Sequence, residues 1–284
     1  MNIYAKVIAD SISYAGKRVT TLEISFPKVL LAEFNTHRQF SRSFSSSRAI
    51  PTKTLIKQDS FVPTYWGKNI AGMQASDEDL SPRKTRMAKI VWFTAIATSK
   101  FFSFLLSKLG LHKQWTNRLN DWHTMVKGVV TSTEWDNFFA LRDHPAAQPE
   151  MQYLAREMRK AMDDSIPVKL KWNEWHLPYV DQSTIDLGKR MRNPWLALKC
   201  SAARCARVSY LKQDGTSAKP YEDVALHDRL VGSEPIHASP TEHQCKPMTD
   251  PTESSGNFKG WTQYRKLIEA DFKATISKPL QPKK

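Results

Sequence analysis

Residues 36–48 (Thr-His-Arg-Gln-Phe-Ser-Arg-Ser-Phe-Ser-Ser-Ser-Arg) hold one His, three Arg and five Ser. Guanidinium forks bind phosphate bidentately and hydroxyls add short hydrogen bonds, so this composition suits an anion cradle. It equally describes a solvent-facing basic linker, because charge runs usually face water. A second group, residues 137–148, places Asn137, Arg142 and His144 around Phe138, Phe139 and Leu141. Read alone, the aromatic and Leu positions are core, and Arg142 caps the negative end of a helix dipole. A third group, residues 237–243, contains His237, Ser239, Glu242 and His243. With Cys200, Cys205 and Cys245 these His residues are of zinc-binding types. Their spacings match no common zinc module, and Ser239-Pro240 between the two His prevents a helical ligand pair, so no metal is expected.

In order and spacing, residues 36–48 resemble the signature of the flavin-dependent thymidylate synthases, R-H-R-x-x-S-x-N-x-x-S-x-R. His37, Arg38, Ser41, Ser46 and Arg48 fall on its H, second R, both S and final R, while Thr36 and Ser43 stand where the family has Arg and Asn. Phe44 stands where an acidic residue is often found. The run Asn-Thr-His-Arg, followed by Ser-Ser-Arg-Ala-Ile-Pro, looks like a phage-type branch. Residues 137–148 resemble the family's N-F-x-x-L-R-x-x-x-H-A-Q region. Residues 205–210 and 237–243 resemble A-A-R-V-S-Y and H-x-S/T-P-F-E-H, with Thr241 in place of Phe. In commoner members these last two precede R-H-R. Here they follow it, which implies a permuted chain order; residues 260–266 are a degenerate echo of Q-W-x-R-H-R and suggest a duplicated strand position instead.

The resemblance implies roles. His37, Arg38, Asn137, His237, Ser239 and Glu242 would contact FAD, with Ser209 a weaker candidate. Ser46 and Arg48 would bind the dUMP phosphate, Arg118 would add a further nucleotide contact, and Arg142 would hold the uracil ring and stabilise its charge as it ionises. Methylenetetrahydrofolate, the folate substrate, would supply carbon and NADPH would re-reduce the flavin, in a homotetramer whose sites lie between subunits. None of the three Cys has a neighbouring base in a phosphate-binding context, so the thiolate route of folate-only synthases is unsupported. Two other readings remain open: a related pyrimidine-nucleotide hydroxymethylating enzyme, and a non-catalytic basic nucleic-acid binder.

The elements that must position these residues read as one α/β domain over residues 1–276, with a mixed or antiparallel sheet and a long helical middle region. Residues 3–10 and 19–26 read as a strand pair around a turn at residues 14–17, and residues 29–34 as an apolar strand. Residues 51–83 read as a surface excursion. From 82 to 162 helical patterning dominates: Leu119, Trp122, Val126, Val129 and Thr133 recur at three- and four-residue spacing, which would put Arg118 about five turns before Asn137 on the helix that ends at Arg142. The most apolar stretch, residues 90–111, carries Lys100 and Lys108 and five hydroxyl residues. With these polar residues it reads as a buried or interface helix broken near Thr98-Ser99 rather than a membrane span. A short strand over 206–211, a helix near 221–232 and a disordered basic tail over 277–284 complete the outline.

The chain of 284 residues is long enough for a real core. Its formal charge of +14 favours polyanionic partners, from small phosphorylated ligands to nucleic acid. With the motifs in hand, small nucleotides are the expected partners and nucleic acid and membrane are not. Three Cys, an odd and sparse count, argue for a reducing, cytoplasmic setting.

Overall fold

The computed structural model describes residues 3–208 and 218–271, together with the backbone of the last helix to Ile276. Ser209 and the basic tail lie outside the described residues. Strands β1 (Tyr4–Ser13) and β2 (Arg18–Pro27) form the expected hairpin, closed through Gly16 at φ 79°, a left-handed conformation that a Cβ disfavours. A 3-10 turn (Lys28–Leu30) and the short α1 (Leu31–Phe34) follow, where a strand was expected. Leu30 and Phe34, four residues apart, turn one helical face into the core, and that burial overrides the extended reading.

Next come β3 (Ser41–Phe44), a 3-10 turn (Ser47–Ala49), α2 (Thr52–Lys57) and a mostly exposed excursion to residue 81. Helix α3 (Pro82–Lys108) runs unbroken through Thr98-Ser99, because Ser99 Oγ accepts a hydrogen bond from Trp122 Nε1 instead of competing with the backbone. It is not buried either: only 11% of its most apolar stretch lies inside the molecule. After α4 (Lys113–Thr116) and a 3-10 turn (Asn117–Asn120), the helical expectation fails altogether. Residues Met125–Ser132 form β4, a Val- and Thr-rich strand inside the sheet. The helical spacing of Val126 and Val129 was coincidental, and Arg118 is separated from Arg142 by a strand rather than by helical turns.

Helices α5 (Asp136–Arg142) and α6 (Pro149–Asp163) then precede β5 (Val168–Leu170), α7 (Gln182–Arg190), α8 (Leu196–Arg207) and α9 (Pro220–Val231). Ala206 and Arg207 end α8, so the strand expected from 206 does not begin there. A 3-10 turn (Ser239–Glu242), the short strands β6 (Cys245–Pro247), β7 (Ser254–Ser255), β8 (Phe258–Lys259) and β9 (Trp261–Gln263), and α10 (Tyr264–Ile276) complete the chain.

The fold is α/β around a mixed five-stranded sheet in the order β3-β4-β2-β1-β5, antiparallel except where β5 runs parallel to β1. Because side chains alternate across a strand, its two faces differ in character. One face carries Leu22, Ile24, Phe26, Val130 and Phe44, which pack with Phe138 of α5 and with Leu154 and Met158 of α6. Gly128 sits opposite Phe44, and a Cβ there would lie 2.1 Å from the ring. The other face carries Thr21, Glu23, Ser41, Ser43 and Thr131, and the C-terminal part of the chain folds over it.

Candidate functional site

The Ser/Arg segment is split between the two faces. Arg42 points inward with respect to its own turn: Nη1 donates to the carbonyls of His37 (2.9 Å) and Phe40 (3.0 Å), and Nη2 to that of Asn35 (3.1 Å). One of the three Arg of the supposed cradle thus shapes the loop that presents His37 and Arg38. Burial pulls its pKa down, opposed by Glu242 nearby.

Arg142, in the last turn of α5, reaches back to this loop. Its Nε donates to His37 Nε2 at 2.9 Å, and one Nη donates to Thr36 Oγ1 at 3.2 Å and the Glu33 carbonyl at 3.4 Å. Thr36, which departs from the family signature, therefore serves as an acceptor for Arg142. A guanidinium only donates, so His37 Nε2 must accept and the ring carries its proton on Nδ1. Burial first, then Arg142 and Arg42, hold the His37 pKa down at about 4, so the ring is neutral at neutral pH. Its edge lies against Phe138, whose ring centroid is 4.9 Å away, and this fixes its orientation.

On the polar face a buried chain of hydrogen bonds crosses the sheet. Ser11 Oγ meets His176 Nδ1 (2.8 Å), His176 Nε2 meets Thr21 Oγ1 (2.8 Å), and Thr21 meets Thr131 (2.7 Å). Thr131 then meets His243 Nδ1 (3.0 Å), and His243 Nε2 meets Ser43 Oγ (3.0 Å). Both rings are fully enclosed, and burial lowers their pKa to about 4 for His176 and about 3 for His243. Each neutral ring has one donor and one acceptor, so each His donates to one of its two hydroxyl partners and accepts from the other. Ser43, in place of the signature Asn, is the terminal member and ties β3 to residues 237–243.

That same join is made a second time. Gln263 of β9 donates from Nε2 to Ser41 Oγ (2.9 Å) and to the Glu242 carbonyl (2.9 Å). The Glu242 carboxylate pairs with Arg265, which also holds Glu269 at 2.6 Å. Burial nevertheless raises the Glu242 pKa, against the pull of Arg265 and Arg42. Residues 260–266, the degenerate echo, thus supply Gln263 and Arg265 to the third motif segment. Sequence reasoning weighed His243 only as a zinc ligand and Arg42 only as part of the anion cradle, and it did not single out His176, Gln263 or Arg265. The signal for the last two was the echo itself; His176 had none, because a lone His gives no pattern.

The other sequence-predicted residues sit around this cluster with freer side chains. Arg38, Arg48, Asn137, His237 and Ser239 are exposed. Arg38 and Arg48 form no ion pair among the described residues. Ser46 precedes the 3-10 turn containing Ser47 and Arg48, and the carbonyls of Ser47 and Ile50 accept from buried Asn117 Nδ2 at 2.8 and 2.9 Å. Arg118, next to Asn117, pairs with Asp121 at 2.8 Å, so it flanks the Arg48 turn and has no place near Arg142 in sequence or element. Ser47 Oγ is buried without a hydrogen-bond partner. Leu141, read as core, is 54% exposed. The three Cys are buried, and burial raises each thiol pKa, for Cys200 to about 11.

Two clefts lie elsewhere. One of about 740 Å³ is lined by Lys169, Trp175 and Arg192, and one of about 570 Å³ by Tyr65, Ala147 and Glu150; no sequence-predicted site residue lines either.

No family model matches the chain, and no curated protein matches it. Among solved structures, Thymidylate Synthase X (ThyX) from Helicobacter pylori, crystallised with FAD and dUMP, is 20% identical, with a TM-score of 0.36 over 51% of this chain and 67% of that one. A UMP/dUMP methylase, PolB from Streptomyces cacaoi, bound with 5-Br dUMP, is 14% identical, with a TM-score of 0.46 over 57% of this chain and 90% of that one. Neither likeness reaches a TM-score of 0.5.

Proposed function

We propose that the protein is an FAD-dependent enzyme that methylates dUMP to dTMP, with methylenetetrahydrofolate as carbon donor and NADPH as reductant, acting as a homotetramer. The observation that carries this reading is the convergence of three segments far apart in sequence: Arg142 bonds to His37, and Ser43 bonds to His243 two hundred residues away. These are the three segments whose residue order resembles the family signature, and a basic linker would have no reason to be knitted to the other two.

The residues present fit the ligands. Ser47 Oγ, buried and without a hydrogen-bond partner among the described residues, lies in sequence between Ser46 and Arg48, whose charge has no ion-pair partner among them, a donor set suited to the dUMP phosphate. Arg118 stands beside that turn as a weaker contact. Exposed Arg38, the Nδ1–H of His37, and the polar groups of Asn137, His237, Ser239 and Glu242 are the donors and acceptors that a flavin and its pyrophosphate require. These residues would hold FAD, whose reduced form would supply the hydride needed to complete the methyl group.

The chain's own work is electrostatic. With raised pKa values and complete burial, the thiols stay protonated, so none adds to the uracil ring as a thiolate. Activation then falls to Arg142, whose permanent charge stabilises negative charge developing on the ring. Neutral His37 orients the guanidinium without repelling it, which an imidazolium would do.

The test is turnover. FAD-loaded protein given dUMP, methylenetetrahydrofolate and NADPH should form dTMP, and Arg142→Ala should lower kcat by about 10²–10³-fold, the usual cost of losing a charge-stabilising donor. No dTMP from flavin-loaded protein, or an Arg142→Ala variant as fast as the parent, would overturn the proposal.

A further inference from the structure

Helix α3 lies outside all of this chemistry and has an unusual surface. Its inner stripe, Trp92, Ile96, Ser99 and Ser103, is fastened to the body. Trp92 Nε1 donates to the Phe61 carbonyl (3.2 Å), Ser103 Oγ to the Thr116 carbonyl (2.8 Å), and Lys100 Nζ to the Gln58 carbonyl (3.0 Å). On the opposite side two pairs at four-residue spacing, Met87 with Val91 and Phe101 with Leu105, face solvent at 56%, 66%, 56% and 37% exposure, with the exposed Thr94 and Thr98 between them. Ile90 and Phe102 widen that face on its two flanks and are about half exposed. Large exposed apolar patches of this kind mark interaction sites.

The charges decide what the patch meets. Between Pro82 and Lys108 the helix has no acidic residue, while Arg83, Lys84, Arg86 and Lys89 crowd its first two turns and Lys100 and Lys108 its second half. The nearest acids in the chain, Asp77, Glu78 and Asp79, precede the helix, and Glu78 is already paired with Lys68. A second copy of α3, packed either way round, would set cations against cations. The apolar face is also wider than the narrow seam through which two helices pair. An anionic lipid surface supplies both the missing negative charge and an apolar layer broad enough for the face.

We infer that α3 docks the protein onto anionic lipid bilayers, lying in the plane of the interface with Met87, Val91, Phe101 and Leu105 in the acyl boundary and Arg83, Lys84, Arg86 and Lys89 among the headgroups. By length and composition the helix could cross a membrane. Its inner face argues against crossing: the bonds of Trp92, Ser99, Lys100 and Ser103 to the body would have to break, leaving polar groups in hydrocarbon. A helix with one face pinned to protein and the other apolar lies on the surface instead. Beyond its end, Leu109 and Trp115 are also apolar and exposed, at 81% and 63%, and Trp favours the headgroup level. The inference is independent of the nucleotide reading and reverses the expectation, drawn from composition, that no membrane is involved.

The test is sedimentation of the full chain with vesicles of phosphatidylcholine alone or mixed with phosphatidylserine. The protein should sediment with the mixed vesicles, less so as salt rises, and remain in solution with phosphatidylcholine alone. Each of Arg83, Lys84, Arg86 and Lys89 changed to Gln should weaken binding about fivefold. Val91→Glu with Phe101→Glu should abolish it. All these side chains are exposed, and an unchanged circular dichroism spectrum confirms that the variants fold. Protein that stays in solution with both vesicle types, or binding untouched by Val91→Glu with Phe101→Glu, would overturn the inference. So would ultracentrifugation in which the parent self-associates and Phe101→Glu separates it, since that result assigns the face to a second copy.

Discussion

The two faces of the central sheet are built from the same three strands and do opposite work. On one, Leu22, Ile24, Phe26 and Val130 pack with residues of α5 and α6 in one apolar cluster. On the other, Thr21, Thr131, Ser41 and Ser43 are joined to His176, His243 and Gln263 by hydrogen bonds across long sequence distances. Apolar packing is tolerant of detail, since any well-filled core of suitable volume will hold. A buried polar array is specific, since each donor left without its acceptor costs the full desolvation of that group. The apolar face therefore carries the stability of the sheet, and the polar face fixes the register between the Ser/Arg segment and the motifs that follow it by some two hundred residues.

The largest expected effect lies on the apolar face. Phe26, fully buried and in contact with the rings of Phe34 and Phe44, should cost about 3–5 kcal/mol of stability when changed to Ala, measured by urea unfolding. Ligand affinity of the fraction that remains folded should be unaltered. A loss within the ±0.5 kcal/mol of surface substitutions would mean that this face does not carry the fold.

Next is the rim of the polar face. Arg48→Ala should weaken dUMP binding by about 1.5–3 kcal/mol, the cost of a charge-assisted hydrogen bond, and Ser46→Ala by about 0.5–1.5 kcal/mol, that of a neutral one. Both residues are off the core, so unfolding should not move. Calorimetry showing parent-like affinity in both variants would remove the phosphate assignment.

Acid sensitivity tests the polar face by a graded effect instead of a single substitution. His176 and His243 titrate near 6.5 when unfolded, but at about 4 and about 3 when folded. The unfolded chain thus binds more protons between those values. The rings' contribution is complete above pH 6.5 and lost as pH falls toward 4, at about 1.4 kcal/mol per pH unit for each ring. His243→Gln should remove one ring's share of that slope. A stability profile flat from pH 7 to 4 would show that the rings are not held neutral.

How much of this was legible beforehand depends on which face is considered. The β1–β2 hairpin was readable because Leu22, Ile24 and Phe26 alternate with polar residues, and a solvent-accessible turn separates the strands. β4 was not: with both faces buried, Val126, Val129 and Val130 show no alternation, and a run of that kind mimics helical spacing. The same misreading displaced Arg118. Among the candidate site residues, those in contiguous motifs were identifiable by order. What joins the motifs was hidden, because His176 and Gln263 act through contacts made only after folding. Thr36 and Ser43 looked like defects in a signature, whereas the structure gives each a partner, Arg142 and His243.

The central claim is that the rim joining residues 36–48, Arg142 and residues 237–243 holds a flavin. The direct measurement is titration of the intact protein with FAD, followed by flavin absorbance and fluorescence, for the parent and for Ser239→Ala with Arg38→Ala. The account predicts saturable binding with a perturbed flavin spectrum in the parent and clearly weaker binding in the double variant, whose changed residues are exposed and spare the core. A folded parent that leaves the FAD spectrum and fluorescence unchanged at every concentration would contradict it.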